Sequence, residues 1–372
     1  WASNLPYFPA LLYFAAGNAL FISTSNGAAL AATPWYFITV ALAGLAIATV
    51  VNVYGLQIGK WLNNAGAVAR WGATLLLVAL GIWAALRFGS ATPITAAAMR
   101  PEVHLKDVIF WSVIAFAWTG PESISFMGGE IRDTRRSVPI GLAIAAPAIA
   151  IIYIAGTVSV LAAVAPQNVN ASSGVMQAIS AIAARLSWNA ITPFAALLVA
   201  LSCIGSTSAW LGSVARIPFV AGIDRYLPPV FGRMHPRWGS PVAALITQAA
   251  IAAAFIFLGQ GGTSVKGAYD VLVSSTVLIT MVPFLFLFAS ALKLRPGSTA
   301  GRTLVVTAAV VGFLTTLVAM IFAGFPSGDD PNKTLAVVKI VGLTAMMLLG
   351  GVAIYLLGKR RASSDPYTLP HT

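Results

Sequence analysis

Residues 108–118 read VIFWSVIAFAW, followed at once by Thr119-Gly120-Pro121-Glu122-Ser123 and then by ISFMGGEIRDTRRSVP over 124–139. The first piece is eleven residues long, about 16 Å as a helix, and a bilayer core is about 30 Å thick. It cannot cross alone. Crossing needs the second piece, which puts Gly120, Pro121 and Glu122 near the bilayer centre. Proline lacks an N–H and clashes with the preceding turn, and glycine tolerates non-helical dihedrals. Carbonyls and amides freed there survive only where protein or a wet cavity satisfies them. A glutamate at that depth is costly and marks a functional site by default. The plainer alternative is a proline-kinked structural helix whose glutamate pairs with a neighbour. Gly, Pro and Glu within five residues favour a discontinuous helix of the kind that secondary transporters use to hold substrate.

The rest of the chain agrees. Of 372 residues, 58% are hydrophobic and 9% charged, against about 25% charged in soluble domains. Disorder and disulfide scaffolds are excluded, since apolar content is high and Cys203 is the only cysteine. Apolar runs fall at about 5–29, 35–54, 63–86, 108–129, 139–165, 188–221, 241–259, 269–292, 303–324 and 334–357, which predicts about ten transmembrane helices. An all-α integral membrane protein follows, with a single transmembrane domain over 1–361 and a polar cytoplasmic tail over 362–372. Barrel strands would instead alternate over segments of about ten residues. Residues 173–186 predict a short amphipathic helix in an outer loop.

The net charge of +12 gives a direction. One set of alternating connections carries Lys60, Arg70, Arg132, Arg135, Arg136, Arg216, Arg225, Arg233, Arg237, Lys293, Arg295, Arg302, Lys359, Arg360 and Arg361. The other carries Arg87, Arg100, Lys106, Arg185, Lys266, Lys333 and Lys339. By the positive-inside rule the larger set is cytoplasmic, and the C-terminus with it. Nucleic-acid binding is disfavoured because the cations are scattered over short loops. No metal or cofactor signature occurs: His104, His235 and His371 are far apart, and H-E-x-x-H and G-x-S-x-G are missing. Tyr269-Asp270 and Gly328-Asp329 loosely suggest an intramembrane aspartyl pair, but the second has Ser327-Gly328 before the acid. An enzyme is therefore not expected.

The stretch from Phe116 through Gly120-Pro121-Glu122-Ser123 to Gly129-Glu130, Arg136 and Pro139 resembles the sixth-helix motif of the amino acid–polyamine–organocation (APC) superfamily of permeases. Asn52-Val-Tyr-Gly55 through Lys60 and Asn63-Asn64 resembles that family's link between fourth and fifth helices. Gly205 to Trp210, Ala215-Arg216, Asp224 to Pro229 and Pro236 to Pro241 resemble its eighth helix and following cytoplasmic loop. The resemblance implies a LeuT-type inverted-repeat fold with alternating access, and makes the helices present the third to twelfth of twelve. Trp1 then falls inside the third helix, which reads the chain as a fragment lacking the first two.

Carried over, the resemblance puts the substrate-closing aromatic on Phe116 and the backbone that meets the substrate's amino end on Ala117, Thr119, Gly120 and Pro121. It puts a cytoplasm-side gate on Glu122, a pocket-lining tryptophan on Trp210, a hydroxyl on Thr276 and a polar third-helix residue on Asn4. Arg70 falls where many members place a fifth-helix lysine. Either it is a fixed cation at a gating or coupling position, since arginine does not give up its charge, or it marks the inner membrane surface. The implied function is secondary active transport of an amino acid or polyamine across the plasma membrane, coupled to H+, Na+ or an exchanged substrate. The implied partners are that small molecule and membrane lipid. A non-transporting nutrient sensor on the same fold is the alternative.

Overall fold

A computed structural model describes residues 1–22, 27–93, 95, 100, 105–121, 131–170, 172–294, 299–325 and 332–363. Among them the regular structure is helical: α1 Asn4–Ala19, α2 Gly27–Ala31, α3 Pro34–Val53, α4 Leu56–Phe88, α5 Leu105–Ala117, α6 Thr134–Ala163 and α7 Gly174–Leu186. Then come α8 Ile191–Val214, α9 Arg216–Ile223, α10 Val242–Gln260, α11 Val265–Leu294, α12 Thr299–Ala323 and α13 Lys333–Ser363. Nine stretches of the described residues are helical, long and apolar enough to span a bilayer. This is a multi-pass membrane protein.

The tenth expected span is the interrupted one. Its first half, α5, has 13 residues, about 20 Å, and stops at Ala117. Residues 122–130, including Glu122 and Glu130, lie outside the described residues. The 188–221 run is not one rod: α8 ends at Val214 and α9 starts at Arg216. Pro218 has no N–H to give Val214 and tolerates only a first turn, so the chain restarts there. The helix α13 runs to Ser363, two residues into the tail expected over 362–372.

Helices approach closely wherever glycine faces glycine or a small side chain. A Cβ built on Gly66 of α4 would lie 2.6 Å from the Gly205 Cα of α8, and one on Gly205 would lie 2.6 Å from the Gly66 Cα. The α4–α8 crossing is therefore backbone on backbone, the usual solution where lipid supplies no hydrophobic drive for helix association. One turn further along α8, the buried Asn52 of α3 donates to Ala48 O at 2.8 Å and to the backbone and hydroxyl oxygens of Ser208 at 2.9 Å each.

The motif residues Tyr54-Gly55 make the turn from α3 to α4. Gly55 has φ +90°, and a Cβ on it would lie 2.5 Å from the Trp238 carbonyl oxygen. Trp238 packs edge-on against Tyr54 at 4.8 Å, and Ser240 donates to Val53 O at 2.6 Å. Two stretches nearly two hundred residues apart in sequence thus lock one end of the bundle. The amphipathic α7 buries Met176, Ala178, Ile179, Ile182 and Ala183 against α4 and α8, as its pattern predicts.

Candidate functional site

The helix α5 ends in a deliberate stop. Thr119 donates to Phe116 O through both its amide, at 2.9 Å, and its hydroxyl, at 2.7 Å. Gly120 then takes φ +120°, a conformation that a side chain strains to adopt. The Tyr153 hydroxyl of α6 donates to Ala117 O at 3.0 Å, and its ring meets Trp118 edge-on at 6.2 Å. The last carbonyls of a helix carry partial negative charge, and here they sit at a cavity wall.

That cavity has a volume of about 400 Å³ and is lined by five of the long helices, a size typical of small-molecule sites. From α1 come Asn4 and Tyr7, from α4 Arg70, and from α5 with its unwound end Phe116, Ala117, Thr119 and Gly120. Trp210 comes from α8, and Thr276, Thr280 and Phe284 come from α11, with Tyr153 closing one side. Tyr7 is the hub of the aromatic wall, edge-on to Phe116 at 6.2 Å and to Trp210 at 6.5 Å. The buried Thr276 spends its proton on Leu272 O at 2.8 Å, so it offers the cavity an acceptor. Pro283 lies inside α11 and on the wall, where it removes one helix hydrogen bond.

Eight of the sequence-expected residues thus come together: Asn4, Arg70, Phe116, Ala117, Thr119, Gly120, Trp210 and Thr276. Pro121 is exposed and does not line the cavity. Glu122 falls outside the described residues. Trp210 faces Tyr7, not lipid. Arg70 is exposed, lines the cavity from a point fourteen residues into the 33-residue α4, and donates through its guanidinium to the Ser206 hydroxyl.

Eight lining residues were not expected: Trp1, Ser3, Tyr7, Tyr153, Ile217, Thr280, Pro283 and Phe284. Tyr7 follows Asn4 by three residues, and Thr280 and Phe284 follow Thr276 at steps of four, so helical spacing alone puts them on the faces already identified. Tyr153 carried no such signal, being one hydroxyl within a long apolar helix.

The family model described as amino acid permease matches residues 1–353. The chain belongs to the amino acid permease family. Its relatives place it within the APC superfamily. An uncharacterized transporter of Legionella pneumophila is 24% identical over 96% of this chain and 77% of its own length. The cadaverine/lysine antiporter of Escherichia coli K12 is 26% identical over 64% of this chain and 53% of its own length. A probable agmatine/putrescine antiporter of Lactococcus lactis is 25% identical over 52% of this chain and 42% of its own. The match thus spans about half the length of the antiporters. The family and these relatives are transporters, not enzymes. Its all-helical architecture is consistent with the APC type of transporter fold.

Proposed function

We propose that this permease is a secondary active transporter of amino acids or related amines, working by alternating access, with the substrate held where α5 unwinds. The observation that carries the reading is the convergence of the α5 end with Asn4, Tyr7, Trp210 and Thr276 on one cavity of about 400 Å³. Broken helices expose backbone groups for recognition in transporters of this kind, and rigid side chains from four other helices can shape the pocket. Phe116 and Trp210 are the candidate closing aromatics, Thr276 and Asn4 the polar anchors, and Glu122 a gate on the cytoplasmic side. The names of the antiporter relatives support exchange of one amine for another. The excess of Lys and Arg on one set of loops supports a cytoplasmic C-terminus in the plasma membrane, with residues 1–361 acting as one permease domain.

The test is uptake and counterflow in liposomes by protein expressed from its full gene, against a panel of amino acids and diamines, with and without a pH gradient. Accumulation of at least one labelled compound, abolished by Trp210→Ala or Phe116→Ala, is the expected result. Failure to move any compound at any gradient would refute transport.

A further inference from the structure

We propose that a second, apolar cavity holds one acyl chain of an anionic phospholipid, with the lipid phosphate at the basic end of α13. This cavity has a volume of about 460 Å³ and lies between α13, α10, α9 and the start of α1. It shares only Trp1 and Ile217 with the cavity described above. No charged side chain lines it among the described residues. Its walls are carbon: the buried Leu5 and Pro218, with Ile251, Met347 and Ile354. Trp1 ties up its one polar side-chain atom elsewhere, donating from Nε1 to Gln248 Oε1 at 2.7 Å. Water finds few partners against such walls, and hydrocarbon needs none. Met346, Ile354 and Tyr355 of α13 are each about half exposed, so this helix forms a rim open to the bilayer.

Two glycines make the room. Gly350 and Gly351 of α13 both line the cavity, and a Cβ built on either meets nothing within 4 Å. No close approach of another helix calls for glycine there, and glycine weakens a helix interior relative to alanine. What the pair provides is open space on the wall. One end of the cavity is marked by Tyr226 and Tyr355, whose rings stack at 5.9 Å with 8° between planes. Tyrosine is favoured at the headgroup level of a bilayer, with one apolar and one polar side. Just beyond, Gly358 packs on Tyr226, where a Cβ would lie 2.5 Å from the Tyr226 carbonyl oxygen. That contact brings Arg225 to the same end as Lys359 and Arg360, all three exposed. Asp224 is the one acid adjoining them, so three cations face one anion.

Charge decides the occupant. A neutral lipid or a detergent would use the carbon walls alone. Protein, whether chain preceding Trp1 or a partner helix, would cover those walls and gain nothing from Arg225, Lys359 and Arg360. An anionic phospholipid uses both parts, with its hydrocarbon between the glycines and the methionines and its phosphodiester among the cations. Methionine is unbranched and adapts to a chain of irregular shape. Each basic residue near an anionic headgroup strengthens binding by about fivefold.

The test is photolabelling of the protein expressed from its full gene, in vesicles of phosphatidylcholine. Trace phosphatidylglycerol or phosphatidylcholine carries a diazirine midway along one acyl chain, and adducts are mapped by mass spectrometry. Labelling is counted relative to the exposed Leu304 and Leu314 of α12, which see bulk lipid. The phosphatidylglycerol probe is expected to label the segments around Ile251 and from Met347 to Ile354 about fivefold or more above the phosphatidylcholine probe. Gly351→Leu fills the cavity and should abolish that excess. Gly342→Leu should not, since Gly342 is on the same helix, equally free of close neighbours and off the cavity wall. Lys359→Gln, at an exposed site, should lower the phosphatidylglycerol label by about fivefold and leave the phosphatidylcholine label unchanged. Segments left unlabelled would overturn the proposal and give the cavity to protein. Equal labelling by the two probes would overturn it in favour of a neutral chain, as would an excess that survives Lys359→Gln. An excess that survives Gly351→Leu would place the lipid elsewhere. Should Gly351→Leu not fold, the Lys359→Gln comparison decides alone.

Discussion

Replacing Gly66 by alanine should be among the most damaging single-methyl changes in this protein, although alanine suits a helix better than glycine does. The added Cβ would lie 2.6 Å from Gly205 Cα, 3.3 Å from Gly205 C and 3.3 Å from Leu201 O. These are backbone atoms of α8 and cannot rotate aside. Reaching even a tight 3.4 Å contact requires α4 and α8 to part by about 0.8 Å locally. A gap of that size forfeits a quarter to a half of each dispersion contact along the seam, and overpacking of this kind costs about 1–3 kcal/mol. The mirror change Gly205→Ala presses Cβ against Gly66 Cα at 2.6 Å and Leu62 O at 2.9 Å, so it should cost the same. Once one methyl has opened the seam, the second finds room. The double variant should therefore fall short of the summed penalties by about 1 kcal/mol, as coupled neighbours do. Gly72, on the same helix, would meet only Leu198 Cδ1 at 3.5 Å, and Gly72→Ala is the control. The assay is equilibrium unfolding in mixed detergent micelles, followed by tryptophan fluorescence. If Gly66→Ala and Gly205→Ala both stay within about 0.5 kcal/mol of Gly72→Ala, the backbone crossing does not exist as described and the reasoning fails. Gly66 lies one turn from Arg70, and Gly205 is next to Ser206. The same two variants should also weaken the bond between those side chains and with it ligand affinity.

Other outcomes follow from particular contacts. Asn52→Leu removes three hydrogen bonds at a site where Asn52 and Ser208 are both buried; a loss of about 2–3 kcal/mol is expected in the same unfolding assay, and Asn52→Asp, which cannot donate, should be worse. Lys339 of α13 donates to the carbonyls of Gly259, at 2.9 Å, and Gly261 at the end of α10, so Lys339→Met should cost about 1 kcal/mol and speed hydrogen exchange in the last turn of α10. Trp210→Phe should keep more substrate affinity than Trp210→Ala, with ligand-induced fluorescence changes lost in both; equal affinity for the two would remove Trp210 from the site. Cys203 is the only cysteine and is buried, so single reporter cysteines at Arg237 and Gln167 can be labelled against a low background in intact cells. Gln167 should react with an impermeant maleimide and Arg237 should not; the reverse pattern would invert the assigned topology.

Apolar length made most of the helices legible. The run read at 35–54 is α3 at Pro34–Val53, and that at 241–259 is α10 at Val242–Gln260, because in lipid a helix extends about as far as its apolar side chains do. The interruption after Ala117 was legible because Gly120 and Pro121 are backbone instructions, independent of what packs around them. The break at Ala215 was not read, since Arg216-Ile217-Pro218 sits in an otherwise continuous apolar run and one proline suits either a kink or a fresh first turn.

Arg70 shows where hydropathy misleads about a site. The apolar run starts near 63, which places Arg70 seven residues in, about 10 Å from a membrane edge, and makes a surface marker plausible. The helix in fact starts at Leu56, because the polar stretch Lys60 to Asn64 is helical and continues from the Gly55 turn locked by Trp238. On this helix Arg70 lines the cavity beside Ser206. That an arginine lines a cavity cannot be read from a window average, since one arginine among many apolar residues barely lowers it. What fixes its place is the glycine at 66, which brings α4 onto α8, and the serine at 206, which accepts from the guanidinium at the cavity wall. Packing and chemistry are thus set by neighbouring residues on the same two helices, and a change that loosens one should be felt in the other.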